Sequence, residues 1–289
     1  MPILNDIEIK KGKGKKIFYS IMFILILGIP LEVFPYYWML INSFKTNLEI
    51  IKMPPTFWPK VWNLQGFVAA FTKFHIWDTL WQTAVILFWC IVIQVSIMTL
   101  GAFALSKLKL KGKNILLIYC LGTMMISGQA LMTPTYMMMI KFPIINVNLI
   151  NNNLSLILAF SSWAYTLFMC KAFFDQLPDE LMESGRIDGA GNLRMFFQIV
   201  LPLSKPVIAI NCLNTFIAVY NQFAFPIMLL QREDTWTVMV RIYASLNTPD
   251  MSWNYMMIML STATLPVIIA YLATQKFVVQ GISTLGLKG

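Results

Sequence analysis

Groups able to do covalent, metal or proton-transfer chemistry are sparse in this chain of 289 residues. Its one histidine, His75, has no companion cysteine or cluster of acids, so a surface histidine is expected and not a metal ligand. The four cysteines, Cys90, Cys120, Cys170 and Cys212, each fall inside or at the end of an apolar segment. No pair has metal-ligand or redox spacing, and they read as small buried hydrophobes. No G-x-S-x-G, H-E-x-x-H or G-x-x-x-x-G-K-[ST] occurs, and the Gly12-Lys13-Gly14-Lys15 run lacks the phosphate-loop spacing and the strand before it. The expectation is a chain with no catalytic residue, no metal and no cofactor of its own. If it is powered by ATP, a separate subunit must bind that ATP.

What remains is chemistry of contact. The longest charge-bearing segment between two apolar ones runs from Pro178 to Pro202, PDELMESGRIDGAGNLRMFFQIVLP. It reads as two short helices joined by a glycine turn. Pro178 suits a first helical turn, where its missing N–H costs nothing, and Asp179 and Glu180 suit the positive end of the dipole. Asp188-Gly189-Ala190-Gly191 is a turn composition that allows positive φ. Asn192 is then expected to cap a second short helix carrying Met195, Phe196, Phe197 and Ile199, which Leu201-Pro202 ends. A loop outside a membrane does not carry that many large apolar side chains uncovered, and the expected cover is another protein.

A second polar pattern lies further on. Asn211, Asn214 with Thr215, Ala218, and Asn221 with Gln222 recur every three or four residues, on one face if the segment is helical. Within hydrocarbon such a stripe must face protein or water. It is either interhelical hydrogen-bonding glue or the wall of a wet path.

The elements that must carry these residues are membrane spans. The chain is 58% hydrophobic and 12% charged, with mean hydropathy +0.67. That is about half the ~25% charge of soluble domains, which excludes an ordinary soluble fold. Net charge +9 does not indicate nucleic acid, because the basic residues cluster between apolar runs and form no stripe with stacking aromatics. Twenty methionines, most of them in the apolar runs, fit soft helix–helix packing.

Residues 1–16 form a polar, lysine-rich segment, and Ile17 to about Ile41 is too long for a signal-peptide core and reads as a first span kinked at Pro30 and Pro35. Glu32 lies in it, either as a functional carboxylate or at a water-accessible kink near the interface. Asn42 to Thr79, with Pro54-Pro55 and several aromatics, reads as an outer interfacial loop. Further spans follow at Leu80 to Ser106, Asn114 to about Met139 (interrupted by Gly128 and Pro134), Leu154 to about Phe174, Val207 to Leu230, and Tyr255 to about Thr274. The fold class is therefore all-α, with a six-span domain at 17–274, the Pro178–Pro202 elbow inside a loop at 175–205, and a tail at 275–289 too polar and glycine-rich to be a seventh span. With the N-terminus inside, fifteen of the 22 Lys and Arg lie on the inner side, which puts both termini and the elbow in the cytoplasm.

The elbow resembles a family. Glu183-Ser184-Gly185, then Gly189, then Ile199-x-Leu201-Pro202 is similar to the EAA loop of membrane subunits in bacterial ATP-binding-cassette importers. The chain keeps the Glu, Gly, Ile and Leu-Pro at the family spacing. Ser184 and Gly185 replace two alanines, which weakens the first helix by about 1 kcal/mol at the glycine. The third span with Pro134 and Tyr136, the KAFFDQLPDEL approach, and a tail with Phe277, Val279-Gln280-Gly281 and Lys288-Gly289 resemble the maltose-transporter type (MalG-like) of carbohydrate permease. Tyr220-Asn221-Gln222-Phe223 stands where that family usually has Trp-Asn-Glu/Asp-Phe, so indole and acid are both replaced.

The resemblance implies one half of a channel, completed by a second permease subunit of related fold. It also implies two copies of an ATP-binding-cassette ATPase, an extracytoplasmic solute-binding protein, a carbohydrate (an oligosaccharide) as cargo, and bacterial cytoplasmic-membrane lipid around the spans. It implies that Glu183, Ser184, Gly185, Asp188, Gly189, Met195, Phe196, Ile199, Leu201 and Pro202 couple to the ATPase. Glu183 would pair with a basic residue there, Met195, Phe196 and Ile199 would supply apolar contact, and Pro202 would pass the tilt to the fifth span. Asn214, Tyr220, Asn221 and Gln222 are the candidates for the substrate path. Glycerol phosphate or a polyol is an alternative cargo. An ion-coupled carrier is the rival class, but it needs intramembrane acids and often repeats, and here Glu32 is the only clear acid in a span.

Overall fold

The computed structural model describes residues 12–143 and 146–286, and every regular element among them is helical. The helices of six residues or more are α1 (Gly12–Ser43), α2 (Gln65–Lys73), α3 (Ile76–Lys107), α4 (Lys113–Thr123), α5 (Gly128–Ile140), α6 (Asn153–Phe160) and α7 (Ala164–Phe174). They continue as α8 (Glu180–Ile187), α9 (Asn192–Leu203), α10 (Lys205–Tyr220), α11 (Ala224–Leu229), α12 (Val238–Leu246) and α13 (Trp253–Gly286). Helix is what these runs must form in hydrocarbon, where no water satisfies a free N–H or C=O.

Three stretches are long and apolar enough to cross a bilayer unbroken: Gly14–Ser43, Ile76–Lys107 and Trp253–Phe277. The other three are bent pairs. Lys113–Thr123 meets Gly128–Ile140 at 98°, Asn153–Phe160 meets Ala164–Phe174 at 43°, and Asn192–Leu203 meets Lys205–Tyr220 at 80°. By length and composition alone the described residues reach six spans if each bent pair counts as one, although the last pair takes in the second helix of the Pro178–Pro202 elbow.

α1 and α13 run as single helices through Pro30, Pro35 and Pro266. Several expectations need correction. In the third span Gly128 does open a new helix, but Pro134 sits inside it without ending it. The fifth span does not run from Val207 to Leu230. α10 stops at Tyr220 after 16 residues, about 24 Å at 1.5 Å per residue, and a short α11 follows. α13 itself continues past the span candidate, which ends at Phe277, as far as Gly286. The first eleven residues, Lys288 and Gly289 lie outside the described residues.

The chain divides into two compact units. One takes in the chain up to His75 with Ser245–Leu265. In it Asn254 donates from Nδ2 to the carbonyls of Ser43 at 3.0 Å and Lys45 at 2.6 Å, satisfying orphan acceptors just past the end of α1. Lys45 is buried, with its ammonium 2.8 Å from Asn42 Oδ1 and over the Trp38 ring at 4.7 Å. Burial lowers its pKa, and the charge of Glu49 works the other way. The outer-loop reading of Asn42 to Thr79 thus covers a structured segment.

The other unit, Ile76–Ala244 with Pro266–Gly286, carries the site. α3 is its central helix, packed against α6, α7 and α10. Two buried polar contacts hold these helices together. Gln94 of α3 donates to Thr166 Oγ1 of α7 at 2.8 Å, and Asn211 of α10 donates to Cys170 Sγ of α7 at 3.2 Å.

Candidate functional site

The elbow begins with a hydrogen-bonded turn and ends on a glycine. Pro178 stands ahead of α8, its carbonyl accepting from Leu181 N–H, and Asp179 and Glu180 open the helix. At the far end Gly189 has φ +75°. Its N–H reaches Arg186 O at 3.0 Å while Ala190 N–H reaches Gly185 O at 2.9 Å, the paired bonds of a Schellman stop. Gly191 is extended and stands at the N-cap of α9. Asn192 is therefore the first helical residue and not the cap, and no side chain caps this helix.

α8 and α9 lie against each other at Gly185. A Cβ there would stand 3.0 Å from Ile199 Cδ1 and 3.4 Å from Met195 Cγ. The replacement of the family alanine therefore opens space for Met195 and Ile199 as well as weakening α8. Around Phe196–Val200 the helix widens into a π turn, a form frequent at functional sites.

The inward faces of both helices join one apolar cluster. Met182, Phe196 and Val200 pack with Ala102, Phe103 and Leu105 from the end of α3 and Leu167, Cys170 and Phe174 from α7. The Phe103 and Phe196 rings are 5.4 Å apart. This overturns one expectation: Met195 and Phe196 are 1% and 2% exposed, held by this chain itself, and are not surface offered to a partner. The apolar side chains left outside are Ile187 at 86%, Leu193 at 66% and Phe197 at 56%. Glu183, Ser184 and Asp188 are exposed beside them, and Ile199 is half-buried. Glu183 makes no salt bridge among the described residues. Leu201 and Pro202 line a groove of about 590 Å³ with Phe197, Lys205 and the flank of α3.

A polar tie fastens the entry to the elbow. Lys107, the last residue of α3, donates to Leu177 O and to Asp179 Oδ1, both at 2.7 Å. Its neighbour Ser106 donates to Asp175 Oδ1 at 2.6 Å, and Lys171 reaches Asp175 Oδ2 at 2.7 Å. Partial burial works to raise the Asp175 pKa, but the bonds from Lys171 and Ser106 outweigh it and hold the carboxyl below the usual range. Asp179 is lowered as well, first by the bond from Lys107 and then by its charge. Sequence reading missed this tie, because Lys107 falls just past the span assigned to Leu80–Ser106. The signal available was Asp175 and Asp179, four residues apart just after the apolar run of KAFFDQLPDEL.

The polar stripe does not stay together. Asn211 and Thr215 are fully buried, and Thr215 bonds back to Asn211 O at 2.8 Å. Asn214 is half-buried. Asn221 and Gln222 lie beyond the end of α10, off the helical face they were assigned to. Tyr220 is buried and stacks on Phe216, centroids 5.4 Å apart, beside an apolar groove of about 450 Å³ that also takes in Trp77, Trp81 and Phe88. Asn211 is thus interhelical glue, and the structure does not gather the four path candidates into one polar wall.

A profile of the family described as "Binding-protein-dependent transport system inner membrane component" matches residues 10–284. Among curated relatives, the inner membrane ABC transporter permease protein YcjP of Escherichia coli K12 is 29% identical over 267 residues, covering 92% of this chain and 94% of that protein. The diacetylchitobiose uptake system permease protein NgcG of Streptomyces coelicolor is 27% identical, covering 90% and 85%. The sn-glycerol-3-phosphate transport system permease protein UgpE of Yersinia pestis is 28% identical, covering 95% and 98%. A crystal structure of a bacterial ABC transporter involved in the import of the acidic polysaccharide alginate contains a chain with the same fold. The match has TM-score 0.81 at 20% identity, covering 93% of this chain and 99% of that one.

Proposed function

Because the chain belongs to the family of binding-protein-dependent transport system inner membrane components, we propose that it is a permease subunit of an ATP-binding-cassette importer for a carbohydrate. In this reading it forms half of the translocation pathway, beside a second permease subunit of related fold. An extracytoplasmic solute-binding protein delivers the sugar from outside, and two ATPase copies supply the energy from within. Both termini and the 175–205 loop are cytoplasmic. The chain is a transport component and not an enzyme.

One observation carries the reading. The elbow is firmly built into this chain on one side, yet holds Glu183 and three large apolar side chains, Ile187, Leu193 and Phe197, in the open on the other. Apolar side chains flanking an unpaired carboxylate suit a protein groove with a basic residue. Gly189 shapes the turn between the two helices, and with open space around it the turn leaves room for a partner to approach.

The test replaces Glu183→Lys together with Gly189→Asp. Transport and co-purification of the ATPase are expected to vanish while membrane insertion continues. Normal uptake by that variant would remove the coupling role. A second cargo reading, glycerol phosphate, has the UgpE relative in its favour. Measuring which solutes stimulate ATP hydrolysis by the reconstituted assembly decides between them: an oligosaccharide supports the first reading, glycerol phosphate alone the second.

A further inference from the structure

We propose that Lys107 is a positioning residue that clamps the elbow to α3, so that a movement of the elbow is delivered to α3 first and not through Pro202 into α10. The inference rests on the coupling role proposed above, and its test separates the two.

The connection from elbow to α10 is a poor rod. Between α9 and α10 the chain turns through 80° at Ser204, and Pro202 is exposed just before that joint. Ser204 N–H is shared between the carbonyls of Val200 and Leu201, and its hydroxyl donates to Val200 O. The bonds at that corner are therefore local and close within one turn. A tilt of α9 can be absorbed there.

The connection to α3 has two independent parts. The apolar part is the cluster in which Met182, Phe196 and Val200 meet Ala102, Phe103 and Leu105. Apolar contact resists separation but is non-directional and allows sliding. The polar part fixes the register. The Lys107 side chain is 5% exposed, and its ammonium is directed at both a backbone carbonyl and a carboxylate in the segment that enters α8. The Asp179 side chain is 81% exposed, so solvent screens that ion pair and what it adds is direction, while the buried Lys107 side chain also holds the Leu177 carbonyl. Ser106 and Lys171 hold Asp175 two residues before Leu177. Five side chains from the ends of α3 and α7 and the entry to α8 thus make one short network, and α3 runs back from it for 32 residues.

A structural tie and a positioning tie predict different things, so the variants are read in the assembled transporter, purified with its ATPase and reconstituted. Lys107→Met is expected to keep the ATPase bound in wild-type amount while cargo-stimulated ATP hydrolysis and transport fall roughly tenfold or more. Lys107→Arg, which keeps charge and donors, is expected to restore most of both. If Lys107→Met does not insert or assemble, Asp175→Asn with Asp179→Asn makes the same test from the acceptor side. Wild-type stimulation in a correctly assembled Lys107→Met or Asp175→Asn/Asp179→Asn variant overturns the inference. So does loss of the ATPase in parallel with loss of transport in every variant, because that marks a merely structural tie. If the wild-type chain itself retains no ATPase, the coupling reading falls first, and the clamp with it.

Discussion

Gly185 and Gly189 sit four residues apart, one inside α8 and one in the turn that ends it, and they answer to different physics. Gly189 has φ +75° with open space around it, so a side chain there meets backbone strain and no neighbour. Gly189→Ala is expected to cost about 1–2 kcal/mol of loop stability, and Gly189→Asn less, read as protease sensitivity of the elbow in detergent. Gly185 has no such strain, and the group facing it is the flexible tip of Ile199 at 3.0 Å. Gly185→Ala should therefore come out near neutral, the tip moving aside while the helix gains up to about 1 kcal/mol of propensity. Gly185→Leu must displace Met195 as well and should destabilise by about 1–3 kcal/mol in the same assay. The turn at Gly189 was legible because its composition has few alternatives. The role of Gly185 was not, because the residue that comes against it lies fourteen positions along the chain.

At the scale of elements, the elbow has an inner and an outer face, and substitutions should sort by face. Phe196→Ala opens a cavity beside Phe103 and is expected to cost about 3–5 kcal/mol, seen as a lower unfolding temperature of the solubilised protein. Leu193→Ser and Ile187→Ser touch little in this chain and should leave that temperature unchanged while lowering the amount of ATPase retained. The apolar residues of α9 were legible from the sequence, but not which of them this chain covers. Periodicity marks an apolar stripe, and lipid, the chain itself or a partner can each satisfy one. The break at Gly128 was expected, but the size of the 98° bend there and the halt of α10 at Tyr220 were hidden for a related reason, since composition registers an apolar run whether it is straight or folded back.

The network at Asp175 also has a pH signature at this scale. A carboxylate held below its unfolded pKa contributes stability that is present above the unfolded value, about 3.9, and lost as pH falls through the folded one. Asp175 and Asp179 should then leave the elbow equally protease-resistant from about pH 5 to 8, with any loosening confined to stronger acid. A transition near pH 6 to 7 would point to some other group.

For the whole molecule, six apolar stretches and an excess of Lys and Arg on one side carried most of the architecture, and the all-helical chain with its long and bent spans agrees with the first of these. The division into two compact units was not legible, because it depends on the start of α13 capping the end of α1 some two hundred residues earlier. The claim on which the account turns is that the outer face of the elbow is held by a cytoplasmic ATPase. The direct measurement places a photoreactive amino acid at Leu193 in the reconstituted transporter and identifies what it captures on irradiation. The account predicts a crosslink to the ATP-binding subunit, and none when Glu183→Lys and Gly189→Asp are also present. Capture of an extracytoplasmic protein, or labelling of that position by a membrane-impermeant reagent added from outside intact cells, would contradict it.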